Sequence, residues 1–331
     1  MDKFKNFIGI DISKEYFDAT ILIDSKQSMH SQFLNSKKGI NQFLKWIKQE
    51  SCGIDNTLIC MEHTGIYNRI LVDVLFSKAY PIWVEMSYRI IRSSGIQRGK
   101  NDKVDSERIA RYAMKNQGDV NLFKGTKKVL DKIQALLGQR KMMIAHKTAL
   151  QVGTNELKTF DAEIYKVLSK NNRTIIKEYD KALKNIDEQL EVYLKQNQEI
   201  EKIYRNITSV PGVGRVTALY LICFTNACTS FESPRQLASY CGVVPFEHTS
   251  GKSIRGKPRV HYMANKRLKK LLHLCALSSI QYNTEMKAYF DRKVQEGKHK
   301  MLVINNIRNK LLHRICACIR DNRSYSTHPA A

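Results

Sequence analysis

Two short apolar runs, Phe7-Ile8-Gly9-Ile10 and Leu58-Ile59-Cys60-Met61, each lead directly into a carboxylate, Asp11 and Glu62. Runs of this length and composition read as buried strands. Ser13 and Lys14 follow the first acid and His63-Thr64-Gly65 the second, so both carboxylates fall near the ends of neighbouring strands. Further β-like runs lie at Ala19 to Ile23 and Pro81 to Val84, while Gly39 to Lys48 and Tyr67 to Phe76 show helical spacing. Alternation of this kind predicts an α/β domain built around a sheet.

A third acidic element lies in Lys100-Asn101-Asp102-Lys103-Val104-Asp105-Ser106-Glu107-Arg108-Ile109-Ala110. Its apolar spacing is helical, and residues three apart on a helix share a face, so Asp102 and Asp105 can point the same way. Four acids brought together without compensating charge repel and raise one another's pKa, which suggests a bound divalent cation. Oxygen-only ligands favour Mg²⁺ or Mn²⁺ over zinc. Two such ions would serve the attacking and leaving oxygens of a phosphodiester. The alternative reading is plainer: Asp102 as a helix cap and Asp105 as a solvated surface acid.

The remainder of the chain is strongly basic. Its 55 Lys and Arg against 31 Asp and Glu leave a formal charge of +24 over 331 residues, which points to nucleic acid as the partner. An anionic membrane is the rival, but no run of 18 apolar residues exists to span one. The start, Met1-Asp2-Lys3-Phe4-Lys5-Asn6, lacks the apolar core of a signal peptide, so a cytoplasmic chain is expected. The eight cysteines, at 52, 60, 223, 228, 241, 275, 316 and 318, form no Cys-x-x-Cys pair and read as buried free thiols.

Texture divides the chain into residues 1–118, 119–206, 207–320 and a loose tail, 321–331. In the second part Ile186, Leu190, Tyr193, Asn197, Ile200, Tyr204 and Ile207 repeat at threes and fours, as in a helical hairpin or short coiled coil. That stripe suits intramolecular packing and a dimer seam equally. The third part opens on Val210-Pro211-Gly212-Val213-Gly214-Arg215, where two glycines between helical segments form a tight turn. The following helix start can receive a backbone phosphate, as in a helix-hairpin-helix, with Gly212, Gly214 and Arg215 as its contacts. A plain helix-packing unit is the alternative. A nicotinamide-binding loop is disfavoured because the segment follows a helix and not a strand.

From Glu247 to Glu285 no acid intervenes, while Lys252, Arg255, Lys257, Arg259, Lys266, Arg267, Lys269 and Lys270 concentrate positive charge. Ser250 precedes Gly251 in this field, which would stabilise its alkoxide and a phosphorus under attack. An ordinary loop hydroxyl is the alternative, and Thr249 and Ser253 compete for the role. His248 reads equally as general base, phosphate ligand or surface residue.

These motifs together resemble the IS110 family of insertion-sequence transposases, whose N-terminal DEDD domain is related to the RuvC (RNase H-like) fold. The resemblance rests on Ile8-Gly9-Ile10-Asp11-Ile12-Ser13-Lys14, Met61-Glu62-His63-Thr64-Gly65-Ile66-Tyr67, Lys100-Asn101-Asp102-Lys103-Val104-Asp105, Val210-Pro211-Gly212-Val213-Gly214, and Leu237-Ala238-Ser239-Tyr240-Cys241-Gly242-Val243-Val244-Pro245 followed by Ser250-Gly251. The ordered set spans roughly residues 7 to 320. It implies a RuvC-like α/β domain, a long helical connector and a mainly helical C-terminal domain with a helix-hairpin-helix-like segment. It also implies that Asp11, Glu62, Asp102 and Asp105 bind metal and that Ser250 attacks DNA, holding a covalent phosphoserine while strands are exchanged. The family uses a structured bridge RNA that pairs with donor and target DNA, and strand exchange calls for a dimer or tetramer. One departure is mild: Ser106 stands where alanine is common. Two other readings remain, a RuvC-like nuclease that uses metal-activated water and a non-catalytic nucleic-acid-binding protein.

Overall fold

The computed structural model describes residues 4–23, 27–62, 67–93, 101–123, 125, 128–231, 233–250 and 254–326, apart from the side chains of His248, Ser250, Ile254 and Lys257. Gly251, Lys252 and Ser253 lie outside the described residues. The chain forms two units, Met1–Gly125 and Thr126–Ala331.

The first unit is a five-stranded sheet with helices on both faces. Its strands are β1 (Asn6–Ile12), β2 (Tyr16–Ile23), β3 (Gln27–Leu34), β4 (Thr57–Glu62) and β5 (Ile82–Glu85), ordered β3-β2-β1-β4-β5. β1 pairs antiparallel with β2 and parallel with β4, as expected of an RNase H-like sheet. Alternation in β1 separates two cores. Ile8, Ile10 and Ile12 face helices α1 (Lys37–Gln49) and α2 (Arg69–Ser77), burying Ile40, Phe43, Leu71 and Leu75. Phe7 faces the other way, joining Leu58, Cys60 and Trp83 beneath α3 (Ser87–Ser93) and α4 (Asp102–Lys115), which supply Ile90, Ile109, Ala110 and Ala113. Central strands covered on both faces read as continuous apolar runs, which is why β1 and β4 stand out in the sequence.

β3 was not expected. It is an edge strand of mostly polar residues, and its anchor is Phe33, whose ring packs 5.5 Å from those of Phe17, Phe43 and Trp46.

The second unit begins with α5 (Lys128–Leu157) and α6 (Ala162–Lys195), a long antiparallel pair tied by Arg140 to Asp187 (2.9 Å) and by Asn172 to Thr154 (2.7 Å). One end is buried through Leu130, Ile133, Leu137, Ile186, Leu190 and Leu194; towards the other, Phe160, Ile164 and Val167 are exposed. The apolar stripe does not run through one helix. Asn197 breaks it, accepting a hydrogen bond from Ile200 N (3.1 Å) to start α7 (Gln198–Thr208). There follow α8 (Arg215–Phe224), α9 (Pro234–Tyr240), a hairpin of β6 (Phe246–Ser250) and β7 (Ile254–Arg259), then α10 (Lys266–Tyr282), α11 (Thr284–Gln295) and α12 (Lys300–Arg320). The hairpin lies in a region where the sequence reading named no strands. The tail is pinned as far as Tyr325, whose N–H donates to Ser209 Oγ (2.7 Å) beneath the Arg314 guanidinium. All eight cysteines are free, and no described helix is long and apolar enough to cross a membrane.

Candidate active site

The acidic site of the first unit is set by one close approach. A Cβ on Gly9 of β1 would fall onto the backbone of Ser106 and Ala110 in α4, so glycine lets the helix lie directly on the strand. Ser106 is fully buried and hydrogen-bonded to Thr20 Oγ1 of β2 (2.7 Å), which fixes the helix against rotation. Its hydroxyl also donates to Lys103 O (2.9 Å), so the residue that departs from the common alanine adds a polar tie to the contact. Asn101 caps α4 by accepting from Val104 N (2.8 Å). Asp102 and Asp105 then occupy the first turn, where the helix dipole favours negative charge.

Strand register supplies the other acids. Asp11 faces Asp18 across the β1–β2 pair, and Glu62 pairs with Glu85 across β4–β5. Because Ile10 pairs with Met61, Asp11 lies beside Glu62, and period-two alternation puts all four on the face that α4 covers. Asp11 is pushed up to about 6 from 3.8, first by burial, then by the charges of Glu62, Asp102, Asp105 and Asp18. All four predicted acids therefore converge on one electrostatic field. They do not form a ready coordination cage: among the described residues no three His, Cys, Asp or Glu side chains gather closely enough to hold a metal, and Asp105 is drawn to Arg108 Nη1 at 2.6 Å.

Asp18 and Glu85 were missed in the sequence. Asp18 is buried and held by His30 Nε2 (2.8 Å) and Gln32 Nε2 (3.0 Å). Glu85 is buried and accepts from Met86 N (2.7 Å) and Tyr112 O–H (3.1 Å). These flanking acids have hydrogen-bonding partners, whereas Asp11 and Glu62 have no hydrogen bond to their carboxylates among the described residues. The inner pair, with Asp102 and Asp105, offers only oxygen donors, the ligand type that a hard divalent cation takes. Glu85 was findable, since it ends a strand as Glu62 does; Asp18 interrupts Phe17 and Ala19 and carries no comparable signal.

In the second unit, Gly212 has φ +88°, and a Cβ there would meet Ser279 Oγ and the backbone of Cys275 in α10. Ser279 in turn donates to Pro211 O (2.8 Å), so this turn is closed by packing. Gly214, at the start of α8, has open space around it. Arg215 turns to α6, reaching Glu191 Oε1 (2.8 Å) and Asp187 O, so its guanidinium is already engaged within the unit. Arg267 lies over the Tyr220 ring at 4.9 Å. Lys269 is half-buried, whereas Arg255, Arg259, Lys266 and Lys270 are exposed. The side chain of Lys257 and all of Lys252 fall outside the described residues. Ser250 is the last residue of β6 and pairs with Ile254, which places it at the hairpin turn.

Comparison with known proteins matches the same two regions. Residues 8–159 match the DEDD transposase model of the IS110 group, and residues 204–291 match the model described as transposase IS116/IS110/IS902 family. A pilin gene-inverting protein of Moraxella bovis is 27% identical over 325 residues, spanning 97% of this chain and 98% of that protein. An IS110 insertion-element protein of Streptomyces coelicolor is 30% identical over 144 residues, 43% of this chain and 35% of that protein. The IS1111A transposase of Coxiella burnetii is 24% identical over 185 residues, 47% of this chain and 48% of that protein. Both family models fit in the expected order, one over the converging acids and the other over the segment from α7 to α11, and the chain accordingly belongs to the IS110 family of transposases.

Proposed function

We propose that this transposase cuts and exchanges DNA strands through a phosphoserine formed at Ser250, with Asp11, Glu62, Asp102 and Asp105 holding Mg²⁺ or Mn²⁺ and a bridge RNA choosing the sites. The observation that carries the reading is the upward shift of Asp11 under burial and the charges of its three predicted partners. A carboxyl that resists ionisation among neighbouring acids, as Asp11 does, is poised to accept cationic charge. A bound divalent ion supplies electrostatic stabilisation of the phosphoryl oxygens and eases deprotonation of the attacking hydroxyl.

The protein's own residues do the rest. Ser250 Oγ gives up its proton and bonds to phosphorus as the bond between phosphorus and the departing strand's oxygen breaks, and that oxygen takes up a proton to leave as a hydroxyl. The phosphodiester energy is kept in the phosphoserine, so attack by a second strand's hydroxyl restores DNA and frees the serine. Exposed Arg255, Arg259, Lys266 and Lys270 supply backbone contacts that position DNA or RNA without reading sequence. Base pairing by an RNA would then select donor and target. The name of the Moraxella bovis relative, a gene-inverting protein, supports recombination over simple cleavage. Exchange of four strand ends calls for a dimer or tetramer.

The test is recombination of paired DNA substrates by purified protein, with and without RNA transcribed from the element's flanks. A requirement for RNA, with retargeting when its loop bases change, supports the guided reading; correct recombination without RNA overturns it. Ser250→Ala separates recombinase from nuclease. Continued cutting by that variant would assign the chemistry to water.

A further inference from the structure

The β6–β7 hairpin holds Ser250 at its turn, and its two roots meet at the end of α9. Gly242 (φ +66°) ends that helix, with Gly242 N bonded to Ser239 O (3.0 Å) and Val243 N to Ala238 O (2.9 Å). A Cβ on Gly242 would press on Ala264 and Val260, so the strand leaving the hairpin packs where the strand entering it begins. The exit is tied a second time, through Asn265 N to Tyr240 O (2.7 Å) and Asn265 Nδ2 to Tyr240 Oη (3.1 Å). On the entry side the carbonyl of Val243 accepts from Asn305 Nδ2 of α12 at 2.7 Å.

Behind Asn305 stands an unusual group. Arg308 is only 6% exposed, and among the described residues its Nε has no hydrogen-bond partner and no carboxylate is paired with it. Its Nη1 reaches Asn305 Oδ1 at 3.5 Å and its Nη2 lies 2.7 Å from His273 Nδ1 of α10. A guanidinium can only donate, so each atom facing it must accept. His273 is thereby held as the tautomer with an unprotonated Nδ1, and burial together with Arg308 lowers its pKa, which keeps it neutral. Asn305 must present its oxygen to Arg308, which leaves its NH₂ for Val243 O. Burying an unpaired cation is costly, and a packed apolar side chain would fill the same space at less expense.

We infer that His273, Arg308 and Asn305 form a positioning relay that fixes the root of the serine-bearing hairpin through the Val243 carbonyl. The relay touches no substrate. Its effect on DNA chemistry rests on the proposed role of Ser250, while its effect on the hairpin does not.

Asn305→Asp is the decisive variant, because the carboxylate keeps and strengthens the Arg308 contact yet has no donor for Val243 O. Its melting temperature should equal or exceed that of the parent, while amide hydrogen exchange in residues 246–250 and 254–259 should accelerate about tenfold, with α8 and α11 unchanged. His273→Ala should loosen the same strands. His273→Asn, whose oxygen can stand in for Nδ1, should restore them. With a plasmid carrying the element's two ends and RNA from its flanks, Asn305→Asp should form at least about tenfold less protein–DNA adduct at unchanged binding. Unaltered exchange in both strands overturns the relay. Faster exchange with full adduct yield overturns the positioning role. Absence of any adduct in the parent protein overturns the serine chemistry instead, and leaves the exchange result to decide the relay.

Discussion

The two units place their key residues in different ways. In the first, every predicted acid is carried by a strand or by the first turn of a helix that lies directly on a strand, and register brings the carboxylates together. In the second, Ser250 sits at the turn of an isolated two-stranded hairpin, and the ties seen in the structure are at its root. A pair of strands alone is marginal in water, so this hairpin depends on its anchorage. The lesson is one of energetics: the acidic face crowds like charges around Asp11, whereas the serine-bearing hairpin is held by hydrogen bonds at its root.

The largest effect expected from this contrast is chemical. Asp11→Asn or Asp105→Asn should lower DNA cleavage by at least about 10²- to 10³-fold while nucleic-acid binding stays within a few fold, as electrostatic stabilisers of a transition state generally do. Cleavage assays beside fluorescence-anisotropy titrations check it. Full turnover in excess chelator would contradict the cation altogether.

Next comes packing. Gly9→Ala should destabilise the first unit by about 3 kcal/mol, since the new methyl meets backbone that cannot step aside, and should disable cleavage by lifting α4. Gly214→Ala, in open space at a helix start, should cost no more than about 1 kcal/mol. Denaturant unfolding of both variants compares the two directly. A mild Gly9→Ala would break the claim that close approach builds the site.

A smaller effect concerns pH. Asp11's folded pKa lies above its unfolded value, so its contribution to stability is present below 3.8 and is lost as pH rises through about 6. Above that range the ionised carboxylate should cost the metal-free protein roughly 1 kcal/mol, after allowance for its partial exposure to solvent. Asp11→Asn should therefore raise metal-free stability at about pH 7.5, and Mg²⁺ should raise the melting temperature of the parent more there than at about pH 5. Equal shifts at both pH values would separate the titration from the cation.

The smallest effect is expected at Arg215. Its ion pair with Glu191 is partly exposed, so Glu191→Ala should change stability by less than about 1 kcal/mol. Because Arg215 is engaged with α6, Arg215→Ala should leave the salt dependence of DNA binding nearly unchanged, whereas Lys266→Ala with Lys270→Ala should make it shallower by about one or two counterions.

Much of the acidic site was legible because buried strands announce themselves as apolar runs and an acid at their end stands out, as with Asp11 and Glu62. Asp102 and Asp105 were legible through helical spacing. What escaped lacked that contrast. β3 carries Gln27, Ser28, His30 and Gln32 because only part of an edge strand needs apolar cover, so its alternation is weak. Asp18 depends on partners from that same unseen strand. The break at Asn197 was hidden because the apolar stripe keeps its spacing across the cap. Around Ser250 no strand was expected, although its flanks pair as β6 and β7. The His273–Arg308–Asn305 contacts join α10 and α12 and could be found only once those helices had been packed.

The most direct test is to incubate the protein with Mg²⁺, paired donor and target DNA and the flanking RNA, denature it, and locate any covalently bound nucleotide by peptide mass spectrometry. The account predicts a phosphodiester on Ser250, absent in Ser250→Ala and in Asp11→Asn and absent when chelator replaces Mg²⁺. Recombinant product formed in full by Ser250→Ala, or an adduct on a different residue, would contradict it.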